Sequence, residues 1–194
     1  APGANQKLSP DDIKKAEPAI ASSGALVAQL EIPLETVEFA AQLANNSGVP
    51  FILDPAPAQK LSPELLKIVD ILTPNETEAQ ILTGIEVTDE KSACKAAKKL
   101  LDYGVKSVIL TMGAKGFLLA GNDGIEFVSA VKVDAVDTTA AGDAFTGSLA
   151  VGLAQGKTLY DSATFANYVA AISVIKMGAQ SSMPTREAVE SFMK

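Results

Sequence analysis

The chain has 194 residues, of which 47% are hydrophobic, so it is long and apolar enough to form a folded domain rather than a disordered segment. Its formal net charge of −7 argues against nucleic acid or an anionic membrane as a partner, because both attract a basic face. The absence of histidine excludes Ser-His-Asp triads and histidine metal sites, which leaves Asp, Glu, Lys or Tyr as a general base.

The first part of the chain alternates between short apolar runs and helical patterns. The runs Ala25–Leu30 and Val49–Leu53 predict buried strands, and Leu34–Asn46 between them has apolar residues at helical spacing. A further helix is predicted to begin at Ser62-Pro63-Glu64, because these residues are favoured at the N-cap and in the first turn. Val69–Leu72 then predicts a third strand.

Two helices are predicted before the next strand. Asn75-Glu76-Thr77-Glu78 begins a helix that should stop near Gly84, and Asp89–Tyr103 has a strong helical pattern with Gly104 at its end. Cys94, the only cysteine, lies in the second helix, where a structural thiol is a better interpretation than a nucleophile. A lone cysteine excludes an intrachain disulfide, which fits a reducing, cytoplasmic setting.

The pattern changes after the strand predicted at Val105–Thr111. Gly116–Ala120 and Ile125–Val128, separated by Gly121-Asn122-Asp123-Gly124, predict a hairpin. The remaining chain predicts three helices, the first two nearly all apolar and therefore expected to be buried: Gly142–Ala154, Leu159–Lys176 and one that begins at Pro184-Thr185-Arg186-Glu187.

This order of elements predicts an α/β fold. Continuous apolar strands that alternate with helices are typical of a mostly parallel sheet covered on both faces. Ligands bind such sheets beyond the carboxyl ends of the strands. Most of the unusual polar residues follow predicted strands: Glu31, Asp54, Asn75, Glu78, Thr111–Gly116 and Asp137–Asp143. The coincidence indicates a ligand site at that edge of the sheet.

The segment Asp137–Phe145, DTTAAGDAF, places small residues at a predicted helix N-terminus. Backbone N–H groups there lack helical partners, and the helix dipole adds positive charge, so Ala140, Ala141 and Gly142 can form an anion hole for a phosphoryl group. Asp143 is either an ordinary first-turn cap or a base that takes the proton of an attacking hydroxyl. Neither a dinucleotide-binding fingerprint nor a P-loop is present.

The same segment resembles the C-terminal motif of the ribokinase-like (PfkB) sugar kinases. The common form of that motif is Gly-Ala-Gly-Asp, and this chain has Ala140 in place of the first Gly. Four other segments resemble the ribokinase branch in the same order: Pro2–Asn5, Asp54–Ala58, Thr73–Glu78 and Lys176–Pro184. The resemblance covers essentially all 194 residues and implies ATP-dependent phosphorylation of D-ribose at O5.

The resemblance implies a role for each matched acid. Asp143 would be the catalytic base and contact the sugar, beside the anion hole at Ala140–Gly142. Glu31 would hydrogen-bond the sugar, with a solvated acid at a strand end as the alternative. Asn75 and Glu78 match an Asn-x-x-Glu motif that orders magnesium, water and phosphate. They are also a good N-cap and N3 pair, and both interpretations can hold together.

The resemblance also implies where ATP and a monovalent cation bind. The ATP-binding residues would be Asn75, Gly142, Asn167 near the adenine, and the loop Thr111, Met112, Gly113, Ala114, Lys115 and Gly116, for which a hairpin turn is the alternative. A potassium ion would lie among Asp137, Thr139, Ser173, Lys176, Gly178 and Ser182, mostly on backbone carbonyls. A cation beside the anion hole would strengthen its field.

Ribokinases have a preceding N-terminal region with a Gly-Gly sugar-binding motif, further strands and a β-sheet lid used for dimerisation. The resemblance therefore implies that residues 1–194 are a single domain, the C-terminal nucleotide-binding and catalytic part of such a fold. We expect the complete protein to be a homodimer, and residues 1–194 alone to be inactive and poorly soluble. The alternatives are another family kinase acting on a sugar or nucleoside, such as a fructokinase, or a non-catalytic nucleotide-binding module.

Overall fold

The computed structural model describes residues 3–194, which form one six-stranded sheet with helices on both faces. The strands are β1 Leu26–Ala28, β2 Phe51–Leu53, β3 Ile71–Leu72, β4 Ser107–Thr111, β5 Gly116–Gly121 and β6 Gly124–Ser129. They lie in chain order, with β1 to β4 parallel and β4 to β6 antiparallel. The predicted α/β fold is confirmed, while Pro2 of the Pro2–Asn5 segment lies outside the described residues.

Nine α-helices occur within residues 3–194: α1 Pro10–Lys15, α2 Glu17–Ala21, α3 Leu34–Asn46, α4 Pro63–Ile68, α5 Glu76–Thr83, α6 Glu90–Asp102, α7 Ala141–Ala154, α8 Leu159–Ser173 and α9 Arg186–Phe192. Short 3₁₀ turns lie at Gly3–Lys7, Gly113–Lys115 and Gln180–Ser182. The sequence did not predict α1 and α2, because helices of six and five residues are too short to produce a helical hydrophobic pattern. Across the described part of the chain, no helix has the length and apolar character needed to cross a bilayer.

The first four strands were predicted too long at their ends, whereas β5 and β6 were predicted one or two residues too short. β1 ends at Ala28 rather than Leu30, and β2, β3 and β4 each begin two residues later than their apolar runs. Val49, Val69 and Val105 are buried although they lie outside the strands. An apolar run therefore marks burial in the core, which continues past the last hydrogen bond of the sheet.

One predicted helix end was also wrong. α8 ends at Ser173, three residues before the predicted Lys176. The carbonyl of Val174 accepts hydrogen bonds from the N–H groups of Val136 and Asp137, at 2.7 and 3.1 Å. The end of α8 thus joins the segment that leads into α7, an interaction between parts of the chain that are distant in sequence.

The two faces of the sheet have separate cores. Phe51 and Leu53 pack with α3, α4, α5 and α6 on one face, whereas Ile52 faces α7 and α8. This burial on both sides explains why β2 is apolar at every position. On the α7 face, Phe117 of β5 meets Phe145 edge to face, with 5.6 Å between ring centroids.

The helices α7 and α8 approach closely where both have small residues. A Cβ added at Gly152 of α7 would lie 2.6 Å from Oγ and 2.8 Å from Cβ of Ser162 on α8. The prediction that these helices are buried holds only for their inner faces, because Val151 is 52% exposed. The packing nevertheless fixes α7 against the sheet, and with it the N-terminus that carries the DTTAAGDAF segment.

We predict that Gly152→Ala lowers the free energy of unfolding of the complete protein by about 1–3 kcal/mol, because the methyl group overpacks the α7–α8 contact. Gly147→Ala on the same helix is the matched control, since a Cβ there meets no atom within 4 Å. It should stabilise the protein by about 0.5–1 kcal/mol through helix propensity. Urea unfolding measures both, and equal effects would contradict the close contact.

Candidate active site

The N-terminus of α7 has no side-chain cap. The helices α4, α5, α6, α8 and α9 each have an N-cap side chain that accepts a hydrogen bond from the first turn. The N-cap of α7 is Ala140, which has no oxygen to offer. Of the first-turn donors, the N–H of Ala141 reaches the Thr138 carbonyl at 3.2 Å. The groups that suit an incoming anion are therefore the N–H groups of Gly142 and Asp143.

Ala140 adopts a left-handed backbone conformation, with φ 61° and ψ 17°. Within the described residues it is the only non-glycine residue with a positive φ. A Cβ makes this conformation less favourable by about 1–2 kcal/mol, and glycine adopts it without that cost. The geometry explains why glycine is usual at this position of the motif. The sequence indicated only that a small residue permits close approach here, because a backbone angle is not visible in it.

Asp143 lies at the edge of the sheet beside two side chains from the ends of neighbouring strands. Nε2 of Gln29, the residue after β1, donates to Oδ1 of Asp143 at 3.0 Å and to Oδ2 of Asp54 at 2.9 Å. Asp54, the residue after β2, is only 6% exposed. Burial raises the pKa of Asp54, the charges of Asp143 and Glu31 act in the same direction, and the hydrogen bond from Gln29 opposes them.

An open cavity of about 250 Å³ lies at this place. Its lining includes Gln29, Asp54 and Asp143, together with Val27, Ala28, Thr146 and Gly147. Glu31 is exposed nearby and accepts a long hydrogen bond of 3.4 Å from Nδ2 of Asn5. The carboxyl ends of β1 and β2 and the N-terminus of α7 thus meet at one acidic opening.

Asn75 and Glu78 form a capping box at the start of α5. The N–H of Glu78 donates to Oδ1 of Asn75 at 2.9 Å, and the N–H of Asn75 donates to Oε2 of Glu78 at 2.8 Å. The capping interpretation of this pair is confirmed. Burial raises the pKa of Glu78, against the hydrogen bond from the Asn75 N–H. The backbone of Asn75 also forms an isolated parallel β-bridge with Thr111, at the end of β4.

These residues suit a hard cation only in part. Glu78 and Asn75 offer oxygen atoms, the ligands that Mg²⁺ prefers. Across residues 3–194, however, no group of three or more His, Cys, Asp or Glu side chains is placed to hold a metal ion. The donor set therefore fits a Mg²⁺ ion that takes most of its ligands from water and phosphate, as this ion commonly does.

The loop Thr111–Gly116 leads from β4 into β5. Met112 is buried, and its N–H donates to the Gly116 carbonyl at 2.7 Å, while Gly113, Ala114 and Lys115 form an exposed 3₁₀ turn. The side chain of Lys115 extends away from the loop, since its Nζ donates a hydrogen bond to the Thr88 carbonyl at 2.8 Å. The predicted turn into the hairpin is thus confirmed. The N–H groups of Thr111, Met112, Lys115 and Gly116 donate within the protein, so a ligand could use only those of Gly113 and Ala114 at the exposed tip.

Asn167 lies beside this loop. Its Nδ2 donates to the carbonyl of Ser129 at 2.9 Å, and Ser129 pairs with Gly116 across the hairpin. The structure therefore brings Asn167 of α8 next to the loop, and its contact with a nucleotide stays a prediction.

Asp137 joins two of the segments predicted to surround a monovalent cation. Its carboxylate accepts hydrogen bonds from the N–H groups of Thr139 and Gly178, both at 2.9 Å. The Thr139 hydroxyl, and after it these N–H groups of Gly178 and Thr139, lower the pKa of Asp137 from 3.8 to about 2. Ser173 and Ser182 are buried with their hydroxyls donating to backbone carbonyls, whereas Lys176 is exposed. The side chains of Asp137, Ser173 and Ser182 are thus engaged in hydrogen bonds within the protein, so a cation would take its ligands mainly from backbone carbonyl oxygens.

Comparison with known proteins agrees with this geometry. A family model described as pfkB family carbohydrate kinase matches residues 1–186. The chain belongs to the pfkB family. It is 48% identical over 194 residues to a Haemophilus influenzae protein named Ribokinase, and this match covers 100% of the chain and 63% of that relative. It is 39% identical over 192 residues to a Salmonella typhi protein named Deoxyribokinase, and this match covers 98% of the chain and 63% of that relative.

Solved structures of pfkB relatives share the fold. A Thermotoga maritima ribokinase matches with a TM-score of 0.89 and 42% identity, covering 100% of this chain and 63% of its own. An Arabidopsis thaliana ribokinase complexed with ribose and ATP matches with a TM-score of 0.91 and 34% identity, covering 100% and 64%. The chain therefore spans somewhat less than two thirds of the relatives that it matches.

Gln29 was missed in the sequence, and Asp54 was noted for its position after a strand and as part of the Asp54–Ala58 segment, without a role in the site. The apolar run Ala25–Leu30 included Gln29, which made it look like a strand residue. The signal that could have found it is its polarity inside an otherwise apolar run that ends at the ligand edge. In this pfkB chain β1 ends at Ala28, the residue before Gln29, and the Gln29 amide lies between the carboxylates of Asp54 and Asp143.

We predict that Asp137→Asn lowers the urea midpoint of the complete protein at neutral pH, and that the difference from wild type narrows as the pH falls below about 4. A lowered native pKa means that the charged form adds stability above the unfolded pKa of 3.8, and that this stability is lost as the pH falls towards about 2. Asp134→Asn, at an exposed position in the same segment, is the control and should change the midpoint less. A constant difference between pH 6 and pH 3 would contradict the assignment.

Proposed function

We propose that the complete protein transfers the γ-phosphoryl group of ATP to O5 of D-ribose, giving ribose 5-phosphate and ADP. The observation that carries this is the uncapped N-terminus of α7, with Asp143 in its first turn beside an acidic cavity. Phosphoryl transfer needs donors for the charge of the transferred group and one residue to take the hydroxyl proton. The relatives named Ribokinase support ribose as the acceptor.

In this mechanism Asp143 is the base. O5 attacks the γ-phosphorus, the bond from that phosphorus to the β–γ bridging oxygen breaks, and the O5 proton passes to the Asp143 carboxylate. The segment Ala140–Gly142 forms the anion hole, and the N–H groups of Gly142 and Asp143 stabilise the charge on the transferred phosphoryl group. Glu31, which is exposed on the same edge, would hydrogen-bond the sugar.

The nucleotide and its cations would occupy the neighbouring strand ends. The loop Thr111–Gly116 would contact ATP through the N–H groups of Gly113 and Ala114 at its exposed tip, with Asn167 near the adenine. Mg²⁺ would neutralise phosphate charge when bound, and Asn75 and Glu78 would orient its water ligands. K⁺ would be held by carbonyls around Asp137, Thr139, Ser173, Lys176, Gly178 and Ser182. A homodimer, a cytoplasmic location and the inactivity of residues 1–194 alone stay predictions from the resemblance.

A second acceptor is favoured by one comparison. The Salmonella typhi relative is named a deoxyribokinase, and its identity of 39% is not far below that of the ribokinase relatives. A coupled assay of ADP release by the complete protein across ribose, deoxyribose, fructose and nucleosides decides between these acceptors. Titration with ATP in a calorimeter, without turnover in that assay, would instead indicate a nucleotide-binding module.

We predict that Asp143→Asn lowers kcat of the complete protein by about 10²–10⁴-fold, because the base is lost, while ATP binding persists. The matched control is Asp161→Asn, which changes the same type of residue at the same first-turn position of α8. Asp161 caps its own helix with Thr158, so its loss should reduce the melting temperature slightly and leave kcat unchanged.

The rate per folded molecule is the deciding measurement for this pair. A folded Asp143→Asn protein with near-normal kcat would refute Asp143 as the base. Equal losses in both variants would indicate a general effect of helix charge instead.

We also predict that K⁺ activates the complete protein, because a cation beside the anion hole strengthens its field. The rates are compared in potassium and in a bulky organic cation at the same ionic strength. Equal rates would remove the cation site from the mechanism.

A further inference from the structure

We propose that Gln29 is a positioning residue that fixes the side chain of Asp143 by bridging it to the buried carboxylate of Asp54. The inference deepens the proposed function and rests on it, since it assumes that Asp143 is the base. A primary amide has two N–H donors. Here one donates to Asp143 and the other to Asp54, at 3.0 and 2.9 Å, so the nitrogen has no further hydrogen to share.

The two carboxylates differ in burial, and this difference decides which of them holds the amide and which is held by it. Asp54 is 6% exposed, and its N–H donates to the Ala28 carbonyl of the neighbouring strand at 3.0 Å. The N–H of Leu30 donates to the Ala56 carbonyl at 2.8 Å, which ties the backbone on the other side of Gln29. Asp143 is exposed. The buried acid and the tied backbone therefore hold the amide, and the amide holds the exposed acid.

The bridge also separates like charges. Asp54 and Asp143 repel each other, and Glu31 and Glu78 add negative charge near Asp54. A second open cavity of about 380 Å³ lies on the other side of Asp143, and its lining includes Arg186. Among the described residues, Arg186 is the basic side chain in the lining of either cavity, and it is engaged with Gln155 and Glu190. Without the amide, Asp143 would turn away from Asp54 and towards solvent.

The consequence for the reaction is orientation. The amide uses one lone pair of Oδ1 of Asp143, so Oδ2 keeps both of its lone pairs and is the better placed oxygen to take the hydroxyl proton. Because the bridge fixes the carboxylate relative to the N–H groups at the start of α7, it sets the base and the anion hole at a constant separation. Small errors in such placement are costly to rate, whereas the affinity for either substrate needs no contact with Gln29.

The kinetic test uses the complete protein and the sugar that it phosphorylates fastest. Gln29→Met keeps the length of the side chain and removes both donors. We expect kcat to fall by about 10- to 100-fold, the range set by a hydrogen bond to a charged group, with both KM values within about twofold. Gln42→Met is the matched control, because Gln42 makes only an exposed hydrogen bond to Asn46 on α3, and its kcat should not change.

A second substitution distinguishes positioning from packing. Adding Asp54→Asn to Gln29→Met removes the buried charge that repels Asp143, so we expect kcat of the double variant to exceed that of Gln29→Met by about fivefold or more. If Gln29→Met does not fold, Gln29→Leu, which also lacks both donors and adds no charge, replaces it with the same design. A double variant no faster than the single one, or a loss confined to KM, would overturn the proposal.

A titration tests the bridge without turnover. Carboxyl NMR of the complete protein should show a higher pKa for Asp54 in Gln29→Met than in wild type or Gln42→Met, because the lost hydrogen bond favoured the charged form. The other acids around Asp54 are Asp143, Glu31 and Glu78. An unchanged pKa for Asp54 would refute the bridge. A shifted pKa in a protein that phosphorylates no sugar would support the bridge and refute the proposed function.

Discussion

The site depends on the unpaired N–H groups at the start of α7. They are free because the chain enters the helix through Ala140, a left-handed residue without a side-chain oxygen, where five other helices have a capping side chain. An uncapped helix end is unfavourable in the absence of a ligand. The contact with α8 and the burial of Phe145 and Leu149 against the sheet hold the helix in place. Packing along α7 therefore holds in place a terminus without a cap of its own, which suits the anion that we propose binds there.

Negative charge is the second constraint on this edge. A protein of net charge −7 places Asp54, Glu78 and Asp143 where a polyanionic nucleotide is proposed to bind. The acids are made compatible with one another by hydrogen bonds from neutral groups, the Gln29 amide and the Asn75 N–H. Positive charge for the phosphates then has to come from helix dipoles and bound cations, which is consistent with the requirement for Mg²⁺ and K⁺ that we propose.

Several residues have a structural role that is visible and a chemical role that is proposed. Asn75 and Glu78 close the first turn of α5, and Asp137 closes the loop to Gly178. These contacts keep the side chains in fixed orientations at the ends of strands. A capping residue at the ligand edge is thus preorganised at no additional conformational cost, and stability measurements alone would not separate its two roles.

The sequence alone determined the fold class, the order of the main elements and the edge at which the polar residues gather. Hydrophobic periodicity depends on local burial, and the DTTAAGDAF segment is contiguous, so both are visible in one dimension. The ends of the strands, the end of α8 at Ser173 and the short helices α1 and α2 were not, because the partners that decide them are remote in sequence or their patterns are too short. The bridge from Gln29 to Asp54 and Asp143 spans 25 and 114 residues. Only the tertiary structure could decide it, because a hydrogen bond between strand ends and a distant helix depends on how the sheet brings them together.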